Sequence, residues 1–519
     1  MGALRKIAVV SLLSVAVVAV VLVAGCAERP AEKPAQPQQQ TEQPPAPEQA
    51  APPAAQEKPT PQPPERLFSK TPKITLHATR AGETGTRGMN NAMLAISPDS
   101  THWAAVVEAE SGKSYVASDE GNGREYDLIE SALFFSPDSK RLAYTARKGK
   151  GLILVVDGAG TPVDGSATGI FFSPDSQHYA YTLSSGRGMS VVRDNVPDKE
   201  YANISRMMYS PDSKRFAYSA SKDGRTEFAV LDGAEEKQYD KTAWMSFSPD
   251  SKHFAYVALW EGAWHVVLDG KEFKGYESLA AAAEFCPDMT VAYLAGRTGS
   301  ETLVINEAEL PQYCALPVFS PDGKRSVNVA LESGKKCAVI DNKPDANKYD
   351  NILAITFSPD SKRVAYPAST GGKWLCVLDG AEGQAYDSIF AGSPRFSPDS
   401  KHFAYIAQRG NDRFIVLDGV EGKAYISIIW PRREQAGPAN VGRPFFFFSP
   451  DSRHIAYSAQ GDAGYIFVVD GSEIAAAVQP WGDMLFDEPG KIHMIAVLER
   501  EIYNVEITYT EESVPAPNP

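Results

Sequence analysis

The chain has 519 residues, a formal net charge of −14 and an isoelectric point near 5.2. That balance argues against the clustered Lys and Arg surfaces that hold nucleic acid, and against docking on anionic lipid by charge alone. The length allows two or three domains or one large repeat array.

Residues 1–25 form a targeting segment. Arg5 and Lys6 precede an apolar stretch broken only by Ser11 and Ser14. The stretch is long enough to span a bilayer uncut, so its ending decides. Val23-Ala24-Gly25-Cys26 resembles the lipobox of bacterial lipoproteins, in which small residues precede a cysteine. The resemblance implies cleavage before Cys26 and lipidation of its sulfur. Acyl chains anchor by burying methylene groups, at about 0.8 kcal/mol each. Ala27 follows, and the Asp that marks inner-membrane retention in many such proteins is absent, which favours the outer membrane. Residues 26–65, the lipidated Cys and a stretch of mostly Pro, Ala, Gln and Glu, cannot build a core. They are expected to be a disordered tether reaching on the order of 100 Å.

The array is expected over 66–510. It opens on Lys73-Ile74-Thr75-Leu76-His77-Ala78, an alternating strand, and a loop over 81–91. Then one phrase recurs about every 38 residues. Its cleanest copy is FSPDSKHFAY, from Phe247 to Tyr256. Close copies start at Ser136, Ser173, Ser210, Ser358, Ser397 and Ser449. Looser ones start at Ser97 and Ser320, and Cys286-Pro287-Asp288 is a worn one. Ser248-Pro249-Asp250-Ser251 reverses the chain, with Pro at the first central turn position, where its fixed φ fits. Residues 253–258 return, Glu261-Gly262 turns, and 264–268 make a third strand rich in β-branched and aromatic residues. Asp269-Gly270 is a hairpin signal, repeated at Asp157, Asp232, Asp379, Asp418 and Asp470. A fourth strand is expected over 272–279.

Four short antiparallel strands per repeat describe a β-propeller blade. The recurrent Ala-Tyr pair, as at Ala255-Tyr256, sets a small residue beside a large one, as interdigitating sheets require. The phrase resembles the Pro-Asp variant of WD-type repeats found in TolB-type propellers. That resemblance implies an all-β propeller of the bacterial cell envelope that works mainly by binding. It carries no catalytic residues across, and the α/β domain that precedes TolB-type propellers has no counterpart in the sequence. The last repeat is disguised, with Leu485 to Gly490 in place of the phrase and strands at 492–497 and 502–507. Residues 511–519 read as a flexible tail. The count is then eleven, against the usual four to eight blades of one propeller. Two packed rings are expected, with one large ring as the alternative. Either way, 73–78 is the natural partner of the last blade.

The phrase tempts a metal reading of Asp99, Asp138, Asp175 and Asp212. Turn chemistry accounts for them, because equivalent atoms of neighbouring blades lie too far apart to share one ion. His102, His178, His253, His402 and His454 share a slot with Arg141, Arg215, Arg325 and Arg363. An Arg/His exchange fits a strand start and fits zinc poorly. Cys286, Cys314, Cys337 and Cys376 form no Cys-x-x-Cys pair and read as buried free thiols. There is no Gly-x-Ser-x-Gly elbow, so no cofactor, metal or catalytic residue is assigned. One irregularity remains. Residues 430–444 lengthen a repeat and bring Trp430, Arg432, Arg433 and Arg443 into an acidic chain, which makes them the candidate partner-binding residues. The expectation is a membrane-anchored envelope scaffold that binds an envelope protein or glycan and no nucleic acid. The alternative is a propeller hydrolase or lyase acting on envelope glycan or peptide.

Overall fold

The computed structural model describes residues 73–83, 94–280, 283–296, 301–429, 445–461, 464–498 and 501–510. Among them there is no helix, and the strands form eleven small antiparallel sheets. Numbered along the chain, blades 1 to 10 span 94–122, 128–163, 166–197, 203–239, 241–272, 284–310, 318–344, 351–382, 388–421 and 427–476. Blade 11 combines 479–510 with the N-terminal strand Lys73–Glu83.

The recurrent phrase builds each blade as its turn chemistry dictates. Within blade 5, the Ser251 N–H donates to the Ser248 carbonyl at 2.8 Å, and the Ser248 N–H to that of His253 at 2.9 Å. The Ser248 hydroxyl donates to the Asp250 carboxylate at 2.6 Å and accepts from the His253 N–H at 2.9 Å. Ser251 takes a left-handed φ of 64°. Glu261-Gly262 and Asp269-Gly270 both have positive φ, the conformation that matches strand twist in two-residue hairpins.

Neighbouring blades interlock at three levels. Where the turn ends in serine, that serine accepts a hydrogen bond from the Asp N–H of the preceding blade, as between Asp212 and Ser251 at 3.0 Å and between Asp360 and Ser400 at 3.0 Å. Ala and Tyr of the second strand face opposite ways, so Ala217 of blade 4 shares a buried cluster with Tyr256 of blade 5. A further tyrosine, at the end of the last strand of one blade or just after it, packs edge-on against that Tyr. Tyr239 meets Tyr256 with centroids 6.1 Å apart and donates to Glu272 at 2.8 Å.

These contacts correct one expectation: there is a single ring and not two. Eleven buried clusters each join two successive blades, and the set closes on itself. Trp481, Ile495 and Ile502 of blade 11 share a cluster with Leu94, Ile96 and Trp103 of blade 1. The Asp483 N–H donates across that seam to the Ser100 hydroxyl at 3.3 Å. The worn repeat is no boundary, since Cys286 and Leu303 pack with Leu316 and Phe319 of the next blade. Ring closure by Lys73–Glu83 is as expected: it pairs antiparallel with Glu501–Thr510, Lys73 opposite Thr510 and Ile74 opposite Tyr509.

A second correction concerns the fourth strand. In blade 5 it is only Lys271–Glu272, and Tyr276 rejoins the sheet through a single bridge to Trp264. The intervening residues leave the ladder so that Tyr276 can pack on Tyr293 of blade 6, 6.0 Å away.

Candidate binding surface

Radial sheets lie closest together at their inner edge, and here that edge is the first strand. First strands of blades 1, 2 and 3 touch in turn. A Cβ on Gly169 of blade 3 would lie 3.4 Å from the Met207 methyl of blade 4. At the opposite edge long ion pairs span the gap, as Lys237 to Glu272 at 2.6 Å and Lys271 to Glu307 at 2.9 Å. The first strands therefore line the centre.

Those inner strands are bulged. In blade 5 Trp244 and Met245 together face Tyr256, between the pairs Ala243–Val257 and Ser246–Ala255. The same slip occurs at 206–207 in blade 4 and 169–170 in blade 3. The bulge residue is left-handed each time: φ is 64° at Gly169, 53° at Arg206, 42° at Trp244 and 43° at Ala354. Glycine bears this conformation freely. For an L side chain it costs about 1–2 kcal/mol, and a Trp there is an outlier of the kind that gathers at functional sites.

Trp244 is 44% exposed, and its ring lies 6.5 Å from that of Trp264 at an interplanar angle of 44°. Arg206 occupies the same place one blade earlier and is also exposed. Further round, a cavity of about 510 Å³ opens between the first strands of blades 2 and 3, bounded by Leu128, Glu130, Phe134, Thr168 and Gly169. Leu128 is 49% exposed. Blades 2 to 5 thus carry an inner arc of apolar, aromatic and cationic groups on a rigid frame.

The residues singled out from sequence fall elsewhere. The Ser-Pro-Asp acids are turn residues. Asp250 is held down to about 2, chiefly by the Ser248 hydroxyl and then by the Lys252 N–H. Asp360 is also held to about 2 by the equivalent groups Ser358 and Lys362. Among the described residues no three His, Cys, Asp or Glu side chains gather as metal ligands. The shared His/Arg slot is an ion-pair position. Arg363 Nε donates to Asp379 at 2.9 Å, and His253 Nδ1 meets Asp269 at 2.6 Å. Arg does more: Arg363 Nη1 reaches the Ser400 and Lys401 carbonyls of the next blade at 3.4 and 3.0 Å and its guanidinium lies 5.4 Å over Phe396. Cys286, Cys337 and Cys376 are buried free thiols, Cys314 is half-buried, and burial pushes all four thiols up.

Cys26, Trp430, Arg432, Arg433 and Arg443 lie outside the described residues. The flanks of that insertion are described. Ile428 and Phe446 belong to the two halves of the first strand of blade 10, so the extra residues enter where other blades carry the bulge. Arg206 and Trp244 were missed in the sequence because they sit in strand-like runs. The available signal was variety: four places before the turn serine stand Ala132, Gly169, Arg206, Trp244, Leu316, Ala354 and Ser393. Where that position is exposed, as at Arg206 and Trp244, packing does not dictate its residue.

No protein-family model and no curated protein matches the chain. Among solved structures it is similar to a eukaryotic initiation factor, at 12% identity and a TM-score of 0.35, over 64% of this chain and 94% of that one. It is similar to the β-propeller domain of the Trilobed protease from Pyrococcus furiosus at 15% identity and a TM-score of 0.24, over 47% and 93%. TolB from Acinetobacter baumannii aligns at 15% identity and a TM-score of 0.21, over 54% and 75%. The chain's own sheets and their closure define the class: an eleven-bladed β-propeller. That architecture is consistent with a binding scaffold.

Proposed function

We propose that the protein is a lipid-anchored envelope scaffold whose inner arc binds another envelope component. The observation that carries the reading is Trp244, a large aromatic kept exposed in a left-handed bulge at a stability cost. Trp and Arg are the residues most enriched at binding hot spots, and Arg206 occupies the equivalent bulge next to it. The lipobox-like Val23-Ala24-Gly25-Cys26 supports anchoring at Cys26, with the outer membrane favoured and the Pro-rich stretch as spacer. Trp430, Arg432, Arg433 and Arg443 extend the same proposal, since their segment departs from an inner strand.

The test puts a photo-crosslinking residue at 244 in cells, with one at Val196, 66% exposed on the last strand of blade 3, as control. A discrete adduct from 244 and none from 196 supports the reading. Equal, diffuse labelling from both contradicts it. Trp244→Gly separates binding from folding: it removes the ring and relieves about 1 kcal/mol of backbone strain. The adduct formed from a neighbouring probe at Met245 should then be lost while the unfolding midpoint holds or rises.

A further inference from the structure

Four blades are clipped to the next by an arginine, and all four clips have the same parts. Arg141, Arg215, Arg325 and Arg363 each pair through Nε with the Asp of their own Asp-Gly or Asp-Asn turn, at 2.8–2.9 Å. Each directs Nη1 at two carbonyls in the next blade's turn. For Arg141 these belong to Ser176 and Gln177, at 3.0 and 2.9 Å. Each also stacks its guanidinium 5.2–5.5 Å over the phenyl ring that precedes that turn: Phe172, Phe247, Phe357 and Phe396.

Between blades 1 and 2, blade 2 presents the receiving half of a clip and blade 1 lacks the arginine. Its slot holds His102, whose Nδ1 meets Asp119 at 2.5 Å and whose ring ends there. Beyond it lies a cavity of about 260 Å³ between blades 1 and 2. Its walls include Phe135, the phenyl before the turn, and Ser139 and Lys140, the counterparts of Ser176 and Gln177. Asp119 and Glu120 also line it, and Glu120 adds a carboxylate where the Asp-Gly turns have glycine. Lys140 is no obstacle, because Lys252, Lys362 and Lys401 hold the same place in working clips and offer only their carbonyls.

The other histidine blades differ in their surroundings. After blade 3 the ring before the receiving turn is Tyr209 in place of a phenyl, and Arg193 of the chain lies beside it, 5.2 Å over Phe216. The side chains of His402 and His454 are only 13% and 11% exposed. After blade 5 the receiving turn is the worn one, with Met289 in place of the serine.

We propose that the cavity between blades 1 and 2 is a socket for an arginine side chain of a partner protein. Its guanidinium stacks on Phe135 and donates to the Ser139 and Lys140 carbonyls and the Asp119 and Glu120 carboxylates. A planar five-donor fork can make these contacts together, whereas the ammonium of lysine cannot stack and fork at once. The socket lies on the face of the ring that carries the Ser-Pro-Asp turns, so it is separate from the inner arc.

The test measures fluorescence polarisation of a labelled Gly-Gly-Arg-Gly-Gly peptide and its lysine counterpart on the full chain. The arginine peptide should bind at least about tenfold tighter. His102→Arg installs the residue that four other blades use, so the chain's own guanidinium occupies the socket. That variant should fold with a raised unfolding midpoint and bind the peptide at least about tenfold more weakly. Phe135→Leu should also weaken it. Equal binding of the two peptides, binding of neither, or undiminished binding by His102→Arg would overturn the proposal.

Discussion

The arginine clip predicts an asymmetry that two alternative substitutions at Arg363 expose. Arg363→Ala removes an ion pair between side chains 30% and 44% exposed, two hydrogen bonds to carbonyls at 3.4 and 3.0 Å, and a ring contact at 5.4 Å. At that exposure the ion pair contributes about 0.5 kcal/mol. The ring contact adds about 0.5–1 kcal/mol and the partly buried hydrogen bonds about 1 kcal/mol together. The total is about 2 kcal/mol. Arg363→His keeps the Asp379 partner, as His253 keeps Asp269, and loses the two carbonyl bonds and the ring contact in blade 9, so it should cost about 1.5 kcal/mol, about three-quarters as much. Spread over some 440 residues unfolding together, either loss moves the midpoint by only about 1–2 °C. Urea titration followed by tryptophan fluorescence is therefore the assay, with amide exchange in blades 8 and 9 as the local readout. If the two variants are equally stable, or both match wild type within about 0.3 kcal/mol, the clip is a bystander.

The serine ring predicts that Ser251→Ala, which orphans the Asp212 N–H, lowers stability by about 1–2 kcal/mol. Ser251→Gly should cost less, because it relieves the φ of 64°; equal losses would refute the account of that residue. Asp250 and Asp360 are held at about 2 in the fold against 3.8 otherwise, so their contribution is full above about pH 4 and fades as pH falls through 2. Urea midpoints measured from pH 5 to 2 should drop, and Asp360→Asn should flatten the slope. Ile74→Asp with Leu76→Asp places charge where the closing strand packs on the last-blade core, and should lower the urea midpoint clearly. An unchanged midpoint would mean that closure does not stabilise the ring.

Blades were legible because their information is short-range. Ser-Pro-Asp-Ser and Asp-Gly each specify a turn within a few residues, and Ala-Tyr alternation specifies which face is crowded. Ring size was not, because it depends on the small rotation between sheets, set jointly by contacts such as Ala217 with Tyr256. The tyrosines at 201, 239, 276, 349, 386 and 425 recur in most copies, yet a strand reading absorbed them; their job is between blades. The inner arc was the least legible part. Ala243-Trp244-Met245 has the composition of a buried strand, and only the bulge opposite Tyr256 turns Trp244 outward.

Binding at the inner arc depends on one closed ring with its first strands inward. Electron-microscopic class averages of the full chain, viewed down the axis, test that directly. The account predicts a single open-centred ring with eleven spokes. Two smaller rings side by side, or one ring with fewer spokes, would contradict it.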